Sequence, residues 1–254
     1  MRLGGPDNRV EYTDELKPTL FFLPGGGWQS GDKISRSLFL MPYVEKGFVV
    51  VTANYRHIPD TGLPAIIGDT RAALNWIYEN SAKYKMDTNK IVISGESAGG
   101  HLALIGVIDN ETLFPQEEKK IERKMKVTAI VNWFGVADLN LANTHWDQNR
   151  AKEVFFGGGQ IESQENIDAL LQKCSPVSYL DTQIPPKISI HGNEDVSARY
   201  EQSVLLHEKL EQLGIKNTFI TIPGKKHGNF SPEEMTLATK EVWNFLEEAG
   251  ILVK

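Results

Sequence analysis

Lys90-Ile-Val-Ile-Ser-Gly-Glu-Ser-Ala-Gly-Gly-His-Leu-Ala-Leu-Ile-Gly-Val-Ile108 is the stretch whose reading decides the fold. A short β-branched run, Lys90–Ser94, leads directly into Gly95-Glu96-Ser97-Ala98-Gly99 and then into the helix-forming His101–Ile108. A lone G-x-S-x-G arises by chance in glycine-rich chains. A strand before it and a helix after it make it informative. Such a turn holds its serine in a strained conformation, so the flanking positions need residues without a Cβ. Ser97 is therefore expected above a sheet edge, beside a helix N-terminus whose free amides favour negative charge.

Working outward, short apolar runs alternate with longer segments of helical period. Strands are predicted at Thr19–Leu23, Phe48–Asn54, Lys90–Ser94, Val127–Trp133, Lys187–His191 and Asn217–Ile222. Phe48–Ala53 and Val127–Trp133 are almost continuously apolar, as parallel strands covered on both faces are. Helices are predicted at Leu63–Lys85, Ala98–Asp109, Tyr200–Leu213 and Pro232–Ala249. Alternation of this kind implies right-handed βαβ units and a mostly parallel sheet flanked by helices. The expectation is one α/β domain over residues 1–254. Less periodic segments around 110–126 and 139–180 read as cap-like insertions.

The whole-chain properties fit that reading. With 254 residues, 41% apolar and 24% charged, the chain has ordinary globular composition. A net charge of −6, with both signs interspersed, argues against nucleic acid or an anionic membrane as partner. The basic stretch Lys119–Lys126 also carries Glu122 and reads as a solvated surface. Cys174 is the only cysteine, so a disulfide scaffold is excluded, and a small buried core residue is the better reading of it. With no apolar h-region in residues 1–20, the chain as given reads as cytoplasmic.

Two further features supply chemistry. Thr19–Leu23 runs into Pro24-Gly25-Gly26-Gly27-Trp28, where consecutive glycines let backbone amides approach a substrate. With the amide of Ala98, Gly26 and Gly27 are the preferred oxyanion donors, and sequence does not decide between them and Gly25. A hydroxyl nucleophile also needs a base held by an acid. Of six histidines, His57, His101, His145 and His191 precede the expected acid, and His207 falls within a helix. His227 follows the last strand, in Pro223-Gly-Lys-Lys-His-Gly228, and is the predicted base. Lys187–His191 ends in Gly192-Asn193-Glu194-Asp195, which makes Asp195 the preferred acid and Glu194 the runner-up. No HExxH or other metal-ligand spacing appears, so neither metal nor cofactor is expected.

These segments resemble the α/β-hydrolase esterases of the hormone-sensitive-lipase-like group, and most closely small bacterial carboxylesterases that include acetyl-xylan and feruloyl esterases. The matching residues are Gly25–Trp28 with Gly31–Lys33, Asn54-Tyr-Arg56, Leu63–Ala65 with Asp69, and Gly95–Ala103. Ser175-Pro176, Pro185-Pro186, His191-Gly192 with Asp195, Tyr200–Ser203 and His227-Gly228 follow in the family's order. The resemblance implies an α/β-hydrolase fold and a Ser97, Asp195, His227 triad with oxyanion donors Gly26, Gly27 and Ala98. Two departures stand out. Pro24 occupies the place of the family's histidine before the glycines. The chain also lacks the family's usual first N-terminal strands, which would leave Phe48–Ala53 at an open edge. A truncated reading frame, a short strand near Arg9–Thr13 or a homodimer contact would each answer that, and a missing upstream segment would allow secretion.

The expected function is hydrolysis of short-chain acyl esters, with acetyl or feruloyl esters of plant polysaccharide among the small-molecule or glycan substrates implied. Trp28, Trp133, Phe134, Trp146, Phe155 and Phe156 are candidates to line the pocket. Rival readings are an arylformamidase-type amidohydrolase and a non-catalytic small-ligand receptor on the same fold.

Overall fold

The computed structural model describes residues 15–58, 60–108, 126–143 and 164–253. Expectations that fell on Arg9–Thr13, on residues 109–125, and on His145, Trp146, Phe155 and Phe156 lie outside them.

The strands are β1 (Lys17–Leu23), β2 (Val49–Thr52), β3 (Met86–Glu96), β4 (Val127–Trp133), β5 (Lys187–Gly192) and β6 (Asn217–Ile222). They form one sheet of order β2-β1-β3-β4-β5-β6 in which every neighbouring pair is parallel. The helices are α1 (Ser37–Glu45), α2 (Leu63–Glu79), α3 (Ser81–Tyr84), α4 (Ala98–Gly106), α5 (Leu139–Asn143), α6 (Gln164–Lys173), α7 (Glu201–Gln212) and α8 (Pro232–Glu248).

Strand periodicity sorts the core into two layers. Phe21, Leu23, Ile91, Ile93 and Ile130 face α2, α4, α6 and α7. Their neighbours Leu20, Phe22, Val92, Val131, Ile188 and Ile190 face α1 and α8. Successive side chains on a strand point to opposite faces, so a strand buried on both sides carries apolar residues at odd and even positions alike. Ile167, Leu171 and Cys174 of the second insertion belong to the first layer, at 2%, 0% and 0% exposure. The described part of that insertion is therefore anchored in the core.

Ends are set by local chemistry. Ser231 and Glu234 form a reciprocal capping box at the head of α8, with Pro232 in its first turn. The segment expected as one helix over Leu63–Lys85 ends at Glu79, and α3 follows. Lys85 then adopts a left-handed backbone (φ 57°) that turns the chain into β3. That strand starts four residues earlier than expected, because Lys17 of β1 pairs with Met86. Helix α1 has no counterpart among the expected helices. Its sequence SLFLMPYVE carries an internal proline and apolar residues all round, with Leu38 exposed and Leu40 and Tyr43 buried, so it shows no clear stripe.

Among the described residues β2 pairs with β1 alone and is half-buried. No helix among them is long and apolar enough to cross a membrane. The loops after all six strands emerge at the carboxyl edge of the sheet. In open parallel sheets that edge is where ligand crevices form.

Candidate active site

Between β3 and α4 the chain reverses at Ser97, whose φ of 53° and ψ of −120° lie in a region that L-residues avoid. The elbow is held on both sides: Ser97 N–H donates to Trp133 O at 2.9 Å, and Ser97 O accepts from His101 N–H at 3.0 Å. It is also tightly packed. A Cβ at Gly99 would overlap the Leu23 carbonyl, so α4 crosses β1 closely only because that position is glycine.

The Ser97 hydroxyl lies 2.8 Å from His227 Nε2, and His227 Nδ1 lies 2.6 Å from Asp195 Oδ2. Three loops, after β3, β5 and β6, thus deliver one continuous hydrogen-bonded row. Asp195, and not Glu194, is the carboxylate that meets His227: Glu194 is exposed, whereas the Asp195 side chain is wholly buried. Asp195 Oδ1 accepts from the amides of Ser197 (2.8 Å) and Ala198 (3.1 Å). Burial alone would raise the Asp195 pKa. Hydrogen bonds from His191, His227 and the Ser197 amide, together with the charge on His227, outweigh it and hold the carboxyl well below the usual range.

Beside this row sits a cleft of about 520 Å³ whose lining includes Gly25, Gly26, Gly27, Ala98, Phe134, Val136 and Ala198. Gly26 has a φ of 132°, and its carbonyl accepts from the amides of Gln29 and Ser30, which folds the loop back on itself. Ala98 heads α4, where an N–H has no intrahelical acceptor. The glycine loop and the head of α4 therefore both border the cleft that holds Ser97.

Support for the glycine loop comes from residues that sequence reasoning left without a role. The Tyr55 hydroxyl donates to Pro24 O at 2.9 Å in a buried position. Asn54 Oδ1 accepts from Lys33 N–H at 2.7 Å, and Arg56 grips Asp69 of α2 through Nε and Nη2. Asn54-Tyr-Arg56 is thus a brace, and Tyr55 supplies the loop with side-chain support despite Pro24. Arg36 Nε meets Glu96 Oε1 at 2.6 Å on the cleft wall.

The pocket expectations divide. Phe134 lines the cleft, with its ring 4.8 Å from the His227 ring. Trp28 lines it too, but is 3% exposed and packs edge-on against His101. Trp133 does not belong there. Strand alternation turns its indole into the α1-side core, edge-on to Phe39, and only its backbone carbonyl serves the elbow. The next residue, Phe134, reaches the cleft because its φ of 40° breaks the strand. Of the remaining histidines, His101 and His207 are buried and held near a pKa of 4 by desolvation, and neither lines the cleft. No cluster of three or more metal-ligating side chains occurs among the described residues.

With this geometry in place, comparison with known proteins decides the family. Residues 10–210 match the profile of the BD-FAE family. The chain belongs to the BD-FAE family. This BD-FAE chain is 31% identical over 226 residues to the esterase LipC of Mycobacterium tuberculosis, covering 87% of itself and 55% of that protein. It is 26% identical over 239 residues to the isoprenylcysteine alpha-carbonyl methylesterase ICME of Arabidopsis thaliana, with 87% and 54% coverage. It thus spans about half the length of the curated relatives it matches. Apo esterase 2 of Thermogutta terrifontis superposes with a TM-score of 0.78 at 24% identity, over 96% of this chain and 88% of that one. A truncated carbohydrate esterase from gut microbiota gives 0.75 at 25% identity, with 94% and 87% coverage. The BD-FAE chain has the α/β-hydrolase fold.

Proposed function

We propose that this BD-FAE protein is a serine carboxylesterase that hydrolyses short-chain acyl esters through an acyl-enzyme. The observation that carries the reading is the Asp195–His227–Ser97 row, closed at 2.6 and 2.8 Å beneath a glycine loop. Esterase names among the relatives support it.

In the proposed reaction Ser97 Oγ attacks the ester carbonyl carbon while His227 Nε2 takes its proton. Negative charge on the carbonyl oxygen is met by the amides of Ala98 and of Gly26 and Gly27, which need no reorganisation to receive it. His227 then protonates the departing alcohol. Water, deprotonated by the same nitrogen, attacks the acyl-enzyme and frees Ser97. Asp195 stays ionised, fixes the tautomer that leaves Nε2 free to accept, and stabilises the imidazolium.

A cleft of about 520 Å³ with Phe134, Val136 and Ala198 in its lining suits a small acyl group. Acetyl and feruloyl esters of plant polysaccharide are the proposed natural class, in keeping with the carbohydrate esterase among the neighbours. The test is hydrolysis of p-nitrophenyl acetate, butyrate and octanoate, with acetylated xylan and N-formylkynurenine in parallel. Acetate or butyrate should be preferred, and Ser97→Ala should lower kcat on the order of 10⁶-fold. Turnover that survives in Ser97→Ala, or an enzyme acting only on the formamide, would overturn the reading.

A further inference from the structure

His191, the last residue but one of β5, has none of its side chain exposed, and both of its ring nitrogens are engaged. Nε2 lies 3.1 Å from Asp195 Oδ2, the same oxygen that holds His227 Nδ1, and Nδ1 lies 2.7 Å from Ser203 Oγ in α7. Asp195 accepts at both oxygens, so the ring nitrogen facing it is the one that carries the hydrogen. Nδ1 is left to accept from the Ser203 hydroxyl, the only partner of the two that can donate there. Phe134 and Tyr200 pack edge-on against the ring at 6.5 and 5.8 Å and fix its plane.

With the Ser197 and Ala198 amides on Oδ1, the carboxylate of Asp195 has four donors for its lone-pair directions, two on each oxygen. Three of them belong to the scaffold and one to His227. A carboxyl on a short side chain can rotate about its last bond. Donors on Oδ1 alone would leave the direction of Oδ2 to His227 itself, the group that must be aimed. We infer that His191, locked by Ser203, is a positioning residue that pins Asp195 Oδ2 toward His227 and so sets the reach of His227 to Ser97. A buried ring with both nitrogens used suits that task, since it cannot turn away without orphaning two polar groups.

The inference rests on the esterase reading, and two replacements separate it from a merely structural role. His191→Gln carries an amide N–H to about the place of Nε2 and keeps the bond to Asp195 while losing that to Ser203. His191→Asn reaches only to the place of Nδ1 and keeps the Ser203 contact while losing Asp195. Both leave an amide in a buried site, so a structural role would cost them similar activity.

With p-nitrophenyl butyrate, His191→Asn should lose between about 10- and 100-fold in kcat with KM within two-fold, as misplacement of a base does. His191→Gln should stay within about three-fold of the parent. Urea midpoints for each variant show whether the fold is intact. If His191→Asn does not fold, His191→Phe, which keeps a ring of similar size and has no donor for Asp195, should lower kcat about 10-fold or more and leave KM within two-fold. Equal kcat in the Asn and Gln variants, or a His191→Phe enzyme with parental kcat, would overturn the inference. If the parent itself turns over no ester, it is the esterase reading that fails.

Discussion

Asp195 shows how much of the site rests on one side chain. Its carboxylate is wholly buried yet stays ionised, because four N–H groups replace the water it has lost. Removing the charge while keeping the shape isolates its part in the chemistry. Asp195→Asn should lower kcat about 10⁴-fold, because an amide can orient His227 in the wrong tautomer and cannot stabilise the imidazolium. Steady-state kinetics on p-nitrophenyl butyrate check this, and a fall confined to KM would contradict it. Ser97 needs the same care in reading. Its strained backbone is affordable only while Gly99 lets α4 close onto β1, so its exposure to the cleft is a property of the neighbours as much as of the serine.

At the scale of elements, the loops after the strands build the site, and the strands position the loops. Their legibility in the sequence followed from local physics. β4 and β6 lie where the sequence puts them, since runs such as VTAIVNW are apolar on both faces and end in turn residues. The elbow, His227 and Asp195 were also readable, because each sits just beyond a strand that the pattern marks. Helix α1 was not, having no polar face to define its period. The error at Trp133 arose because residue type says "aromatic near the site" while strand parity says which face it takes. His191 and Tyr55 were quoted as motif residues, but a hydrogen bond to a partner over thirty residues away, as from Tyr55 to Pro24, leaves no periodic trace. Tyr55→Phe tests the brace. Leaving the buried Pro24 carbonyl unpaired should cost about 1–3 kcal/mol of stability. It should also lower kcat on the order of ten-fold or more, as the glycine amides drift from the oxyanion position. Urea unfolding and kinetics of the same variant measure both, and an unchanged kcat would remove Tyr55 from the loop's support.

For the whole molecule, the parallel sheet gathers the loops after its six strands at one edge and buries two apolar layers on its faces. It also buries ionisable groups that the chemistry does not use. His101 in α4, with Nε2 at 2.8 Å from Cys174 O, and His207 in α7, stacked on Phe219, are both desolvated to a pKa of about 4. An unfolded histidine titrates near 6.5, so between about pH 6.5 and pH 4 the unfolded chain takes up protons that the fold refuses. Stability should therefore fall as pH drops through that window, by about 2 kcal/mol per ring on going from pH 7 to pH 5. Below pH 4 these two rings add no further loss, and it is there that the depressed carboxyl of Asp195 begins to matter. Urea unfolding at pH 7, 6 and 5 measures the slope, which His207→Phe should reduce. A stability that is flat over that range would contradict the burial of the two rings.

The proposed reaction turns on Ser97 as the acylated nucleophile of this BD-FAE protein. The most direct measurement is mass spectrometry of the protein after reaction with diethyl p-nitrophenyl phosphate, followed by peptide mapping and assay of residual p-nitrophenyl butyrate hydrolysis. The expected result is a single diethylphosphoryl group on the peptide containing Ser97, loss of activity in proportion to labelling, and no label on Ser97→Ala. A label on another residue, or full hydrolytic activity in the fully labelled protein, would contradict it.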